Sequence, residues 1–197
     1  MDNVILLPPP TSTIPKLPLG DLSTLQRALA KTGLDKVLSE PRTGGTLFAP
    51  NNKAFEKLGP KVNDFLFGKF GEKYLKALLQ YHIVANKTMY SDAYFFGDND
   101  DEMEMDQAPG PKYGLDLPTR LPGKSVHVEI SRWGRWMTVK LNSVTTVKVL
   151  DVTARDGVLH GLDEVLLPFK FAGSELSGEE MTVEQFKDLF HPHCGEL

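Results

Sequence analysis

The apolar residues of this chain change their spacing once, and the change dictates how its elements can be ordered. In the first half Leu22, Leu25 and Leu29 fall at helical intervals, as do Leu75, Leu78 and Leu79, so each set lines one face of a helix. Beyond residue 122 the interval is two. Val126, Val128 and Ile130 alternate with polar or titratable residues, and Met137, Val139 and Leu141 resume the alternation after Gly134. An interval of two sends successive side chains to opposite faces of a strand, so the pattern predicts a hairpin with Trp133 and Trp136 beside its turn. A second hairpin is predicted for residues 147–153 and 158–167 around Asp156-Gly157, because glycine accepts the positive φ that a two-residue turn demands. Helices are thus gathered early in the chain and hairpins late.

Other stretches set the limits of the domain. Residues 97–122 carry Asp98, Asp100, Asp101, Glu102, Glu104 and Asp106 with no base before Lys112, then Pro109, Gly110, Pro111 and Gly114. Like charges repel and little there can pack, so a solvated acidic insertion is expected. Residues 1–18 contain Pro8, Pro9, Pro10, Pro15 and Pro18 and read as an extended arm. Residues 172–197 read as a helical extension, in which Thr182 and Gln185 make a capping box ahead of Phe186, Leu189 and Phe190. Between the arm and this extension lies the segment 19–171. Inside it, Thr46-Leu47-Phe48-Ala49 is a short apolar strand closed by Pro50, and Asn51 can cap the helix that carries Ala54, Phe55 and Leu58. With 197 residues, 41% of them hydrophobic, a core of ordinary size forms without disulfide or metal.

Few motifs for chemistry are present. A net charge of −4 excludes a broad electrostatic footprint for nucleic acid. One cysteine, Cys194, excludes an internal disulfide. No G-x-S-x-G, G-x-G-x-x-G or H-E-x-x-H occurs. Gly123-Lys124-Ser125 mimics the end of a phosphate loop, but Pro118 stands where the first glycine belongs and a strand follows in place of a helix. Asp98, Asp100 and Glu102 match the start of a calcium loop, yet Met103 and Pro109 occupy its glycine and terminal glutamate positions. His191, His193 and Cys194 lie together in the terminal tail, where adventitious metal binding outweighs a built site. No metal site and no cofactor are therefore expected. His127 falls on the polar side of its strand, and His82 and His160 sit among apolar residues as hydrogen-bonded groups, His82 one helical step beyond the Leu75, Leu78 and Leu79 stripe and so partly buried. Asn86-Lys87-Thr88 is a glycosylation sequon in an expected turn, with Asn86 as acceptor. No apolar run is long enough to span a bilayer, and the segment from Val4 to Leu7 is too short for a leader peptide.

Three ordered motifs resemble the fasciclin (FAS1) domain family. The run from Thr46 to Phe55, TLFAPNNKAF, is similar to the family's first signature, with Asn51 in place of threonine. Tyr81-His82-Ile83-Val84 resembles its central Tyr-His motif. The run from Asp156 to Pro168, DGVLHGLDEVLLP, resembles its second signature. The Pro-rich arm, the acidic insertion and the C-terminal helix lie outside the resemblance, and the long insertion with its Trp133–Trp136 hairpin looks like fungal versions of the domain.

The resemblance implies a single α+β domain: a seven-stranded β-wedge or sandwich with helices packed along one edge. It implies a non-enzymatic, secreted or cell-surface glycoprotein that acts in cell adhesion or cell-wall contact. A monomer is expected, with a cell-surface or matrix protein or a cell-wall glycan as partner and no nucleic acid. In some animal members an Asp-Ile pair before the second signature, and the Tyr-His region, are implicated in integrin contact. Asp151-Val152 matches the first with valine for isoleucine, and Tyr81 and His82 match the second. There is no Arg-Gly-Asp. Both Tyr81 and His82 can equally be structural, and a structural role is the weightier reading. The alternative function is binding of a small molecule or polysaccharide, with Trp133 and Trp136 stacking on a sugar face, though capping an edge of the core is the weightier reading of that pair.

Overall fold

The computed structural model describes residues 20–39, 44–92, 112–133, 136–154, 157–168 and 181–190. The helices α1 (Ser23–Thr32), α2 (Leu34–Ser39), α3 (Asn52–Glu56), α4 (Pro60–Phe67) and α5 (Glu72–Tyr81) fall in the first half of the chain, interrupted only by strand β1 (Gly45–Pro50). Strands β2 (Ile83–Ala85), β3 (Lys112–Pro118), β4 (Ser125–Trp133), β5 (Trp136–Leu141), β6 (Thr145–Thr146), β7 (Val149–Ala154) and β8 (Gly157–Leu162) follow, then helix α6 (Val183–Phe190). The expected α+β order is what forms. Gly33 ends α1 in the left-handed region (φ 68°), and the Asn51 side chain caps α3 by accepting from Ala54 N–H at 3.0 Å.

The strands make two four-stranded sheets, in the orders β2-β1-β8-β7 and β3-β4-β5-β6. That is eight strands among the described residues where seven were expected; β6, a two-residue ladder against β5, is too short to leave an alternation in sequence. In the first sheet β1 runs parallel to β8, pairing Phe48 with His160 and Ala49 with Gly161. Two signature segments more than 100 residues apart thus share one ladder. The second sheet holds the predicted hairpin, with Val128 opposite Leu141 and Ile130 opposite Val139, all buried.

The acidic insertion requires correction at its far end. Residues 112–118 are strand β3, which pairs antiparallel with β4 over its full length. Leu115 and Leu117 lie opposite Val128 and Val126, and Leu117 and Leu121 are fully buried. The alternation Tyr113-x-Leu115-x-Leu117 was hidden by the adjacent prolines and acid run. Pro118 is tolerated because it is the last residue of an edge strand, where no ladder donor is lost. Residues 93–111, with the whole acidic run, lie outside the described residues, as do the arm at 1–18 and the His191–Cys194 cluster.

Helix α6 forms where the capping box placed it: Gln185 N–H donates to Thr182 Oγ1 at 3.2 Å, and Thr182 N–H donates to Gln185 Oε1 at 2.9 Å. Its Phe186 and Phe190 are fully buried and packed together, ring centroids 5.0 Å apart, and the helix lies against α4 and α5. It is part of the core.

Gly157 opens β8 with φ 151°, and a Cβ built there would stand 2.2 Å from the Gly45 carbonyl oxygen. Strain and a backbone clash therefore act together. Gly157→Ala is expected to destabilise the fold by about 2 kcal/mol or more. The thermal unfolding midpoint should fall by roughly 4–8 °C, whereas Gly33→Ala, with nothing within 4 Å of its Cβ, should cost less.

Candidate functional site

The Tyr-His motif sits at the end of α5, where the chain turns into β2. The apolar stripe of α5 turns His82 fully inside, deeper than the partial burial its helical step suggests. Its Nδ1 lies 2.8 Å from Leu78 O, one turn back, and its Nε2 lies 2.9 Å from Leu166 N, beyond β8. A carbonyl can only accept and a backbone N–H can only donate, so the ring is neutral, with its proton on Nδ1. His82 O also accepts from Phe48 N–H of β1 at 3.0 Å. Burial holds its pKa down to about 4 from 6.5.

Tyr81 is buried too, and its ring crosses to the second sheet. Its hydroxyl donates to Ser125 O at 3.3 Å and accepts from Asn142 Nδ2 at 2.9 Å; burial raises its pKa, against the Asn142 hydrogen bond. The amide oxygen of Asn142 accepts from His127 N–H at 3.1 Å. Asn142 and Ser143 both take positive φ, 51° and 62°, in the turn between β5 and β6. Sequence reasoning passed over Asn142; its one signal was an Asn-Ser pair, a turn former, between two apolar strands.

Asp151 lies at a bulge in the β7–β8 ladder with φ 57°, and its carboxylate is engaged within the fold. Oδ1 accepts from Ser91 N–H at 2.8 Å and Oδ2 accepts from the Ser91 hydroxyl. Its own N–H donates to His160 Nδ1 at 3.3 Å, while His160 Nε2–H donates to Met89 O at 2.8 Å. His160 is thus also neutral, as the opposite tautomer to His82. Burial lowers its pKa, against the Met89 hydrogen bond and the nearby Asp151 charge. Val152, half-buried, pairs with Leu159. Tyr81-His82 and Asp151-Val152 therefore flank the β1–β8 ladder as internal struts.

Three other features face outward. Asn86 is exposed in the left-handed region, φ 59°, after β2; the Thr88 hydroxyl of the same sequon accepts from Gly45 N–H at 3.1 Å. Trp136 is 73% exposed at the start of β5, opposite Trp133 in the ladder; the Trp133 side chain and the turn at 134–135 lie outside the described residues. His127 is part-exposed on β4, with Nδ1 2.7 Å from Asp116 Oδ1 and Nε2 3.8 Å from Glu129 Oε1. Gly123-Lys124-Ser125 is the β3–β4 turn, closed by Thr119 N–H donating to Lys124 O at 2.9 Å. Among the described residues no three His, Cys, Asp or Glu side chains gather as metal ligands.

Parallel signature strands, a buried Tyr-His joint and a second sheet of hairpins define an α+β wedge of the fasciclin type. The chain belongs to the fasciclin family: residues 20–168 match the Fasciclin domain. It is 35% identical, over its whole length and 54% of the relative's, to a protein of Gibberella zeae named aurofusarin biosynthesis cluster protein S. It is 32% identical to the pig transforming growth factor-beta-induced protein ig-h3, over 74% of this chain and 17% of that one. The chain thus spans about half the length of the fungal relative and under a fifth of the pig one. Its fold is similar to a FAS1 domain pair of the insect cell adhesion molecule fasciclin I, with a TM-score of 0.56 over 74% of this chain and 47% of the other at 19% identity.

Removing the His82 ring leaves Leu166 N–H and Leu78 O without partners and opens a cavity. His82→Ala is expected to cost about 2–3 kcal/mol and to lower the melting midpoint by roughly 4–12 °C.

Stability should also depend on acid. The unfolded chain protonates His82 near 6.5 and the folded one only near 4, so its contribution is complete above 6.5 and is lost as pH falls toward 4. His160 acts in the same direction. Thermal unfolding from pH 7 to 4 should show a falling midpoint, at most about 1.4 kcal/mol per pH unit for each ring. The slope should be shallower in His82→Ala.

Proposed function

We propose that the chain is a non-enzymatic extracellular or cell-surface module that mediates adhesion or contact with cell wall or matrix. Fasciclin-domain proteins are generally associated with adhesion and extracellular matrix. The observation that supports this reading most directly is the engagement of the motif side chains. Both ring nitrogens of His82 and of His160, the Tyr81 hydroxyl and both oxygens of Asp151 are hydrogen-bonded inside the fold. A general base must have a lone pair facing substrate, and the ring nitrogens of His82 and His160 are all committed inside the core. The motifs then serve to stiffen the module, and recognition falls to its exposed surfaces. The partner is a cell-surface or matrix protein or a cell-wall glycan. Among the described residues no helix is long and apolar enough to cross a membrane.

A second reading, binding of a small molecule or polysaccharide, draws on the exposed Trp136 and on the fungal relative named for a biosynthesis cluster.

The direct test is retention of the full chain by intact cells, cell-wall extract and matrix-coated surfaces. Saturable retention on at least one of them is expected. In His82→Ala, assayed well below its midpoint, retention should be unchanged; its abolition with an unshifted midpoint would move Tyr81 and His82 to a recognition surface.

Secretion has its own test. Expressed through a eukaryotic secretory pathway, the chain should carry an N-glycan on Asn86, whose exposed turn admits the modifying enzyme. Mass spectrometry should show the added mass and its disappearance in Asn86→Gln. An unmodified exposed Asn86 counts against a secreted protein.

A further inference from the structure

The second sheet presents one face to the core and one to solvent, and the solvent face has a particular composition. Trp136, Thr138 and Lys140 of β5 point outward, while Val139 and Leu141 are buried. On β4 the outward residues are His127, Glu129 and Ser131, between buried Val126, Val128 and Ile130. On β3 they are Gly114 and Asp116. The register sets these in rows: Gly114, Glu129 and Lys140; Asp116 and His127; Ser131 and Thr138. From Trp136 to Lys140 the strip runs roughly 14 Å along the strand, and three strands make it about 10 Å wide.

We propose that this face binds a neutral polysaccharide chain, with the Trp136 indole as stacking platform and the polar rows as partners for sugar hydroxyls. The inference rests on the adhesive reading above and names its ligand class. An indole 73% exposed at the edge of a polar sheet offers a flat apolar surface that matches the C–H face of a pyranose. The polar groups beside it are held in place. His127 is paired with Asp116 at 2.7 Å, and Glu129 accepts from the Ser143 hydroxyl at 2.8 Å, so little side-chain freedom is lost on binding. Gly114 places no side chain over the row, and a Cβ there would reach the His127 ring only at ordinary contact distance, 3.4 Å. Carboxylates accept from sugar hydroxyls and Lys140 supplies donors, while His127 Nδ1 is engaged with Asp116.

Charge and polarity select among occupants. Two carboxylates, Asp116 with its side chain 71% exposed and Glu129, outnumber the single lysine of the strip, Lys140, which disfavours nucleic acid, acidic lipid and sulfated glycans. A protein partner needs an apolar centre depleted of charge. Here the single exposed aromatic of the described strip lies at one end, and charged or hydroxyl side chains fill the rest.

The test is calorimetric titration of the full chain with laminarihexaose, cellohexaose and chitohexaose, with heparin and polygalacturonate as anionic controls. At least one neutral hexaose should bind saturably and change tryptophan emission, and the polyanions should not bind. Trp136→Ala should weaken binding at least tenfold with an unshifted melting midpoint, since the ring is exposed. Thr138→Arg, which obstructs the middle of the strip, should do the same independently. Absence of binding to all three hexaoses overturns the proposal, as does equal affinity in both variants or preference for a polyanion. So does a Trp136→Ala chain that loses retention on a protein-coated surface while the wild type ignores every hexaose, which assigns the face to a protein partner. The underlying function fails separately: wild-type chain that binds a hexaose yet is retained by no cell, wall or matrix surface overturns the adhesive reading and leaves the strip standing.

Discussion

A neutral imidazole with no access to water joins the layers of this molecule. His82 receives the Leu166 N–H beyond β8, donates to α5 through Leu78, and offers its own carbonyl to Phe48 of β1. Helix, first signature and second signature meet at that one residue. Each contact is worth only about 1 kcal/mol net. Leaving any of them unmade in a dry interior costs more than making it contributes, so the three segments are held to one arrangement. A protonated ring would turn Nε2 into a donor facing another donor, which is why burial and the acid response have the same origin.

The neighbouring polar groups repeat the pattern. Tyr81 ties the end of α5 to the second sheet through Ser125 and Asn142, and Asp151 ties the β7 bulge to Ser91. Residues that resemblance alone marks as adhesive are here arranged as internal bracing. The outward face of the second sheet has another character: exposed polar pairs, mixed charge and, among the described residues, one indole in water. A rigid interior with a polar, aromatic-edged exterior suits the adhesive module proposed above.

Much of this was legible along the chain, and the gaps have physical causes. Alternation over residues 126–141 predicted β4 and β5 because one face is buried and the other wet, the condition under which a period of two appears. Thr182 and Gln185 predicted the start of α6 because a cap is a local hydrogen-bond exchange. Strand β3 was missed because its alternation is short and sits between prolines beside a run of acids. The depth of His82 was missed because its second partner, Leu166, is 84 residues away. Parallel pairing of β1 with β8 is nonlocal in the same way, as is the reach of Tyr81 to Asn142. Local patterns announce elements; the closures that bring distant polar groups together leave little trace in any one window.

Helix α6 lies beyond residue 168, where the family match ends, yet it buries Phe186 and Phe190 completely against α4 and α5. Two phenylalanine side chains withdrawn from water are worth about 1.5–3 kcal/mol each. The domain match and the physical unit therefore have different edges. A fragment cut at residue 168 would bare an aromatic seam between α4 and α5, and it would be sticky for reasons unrelated to adhesion.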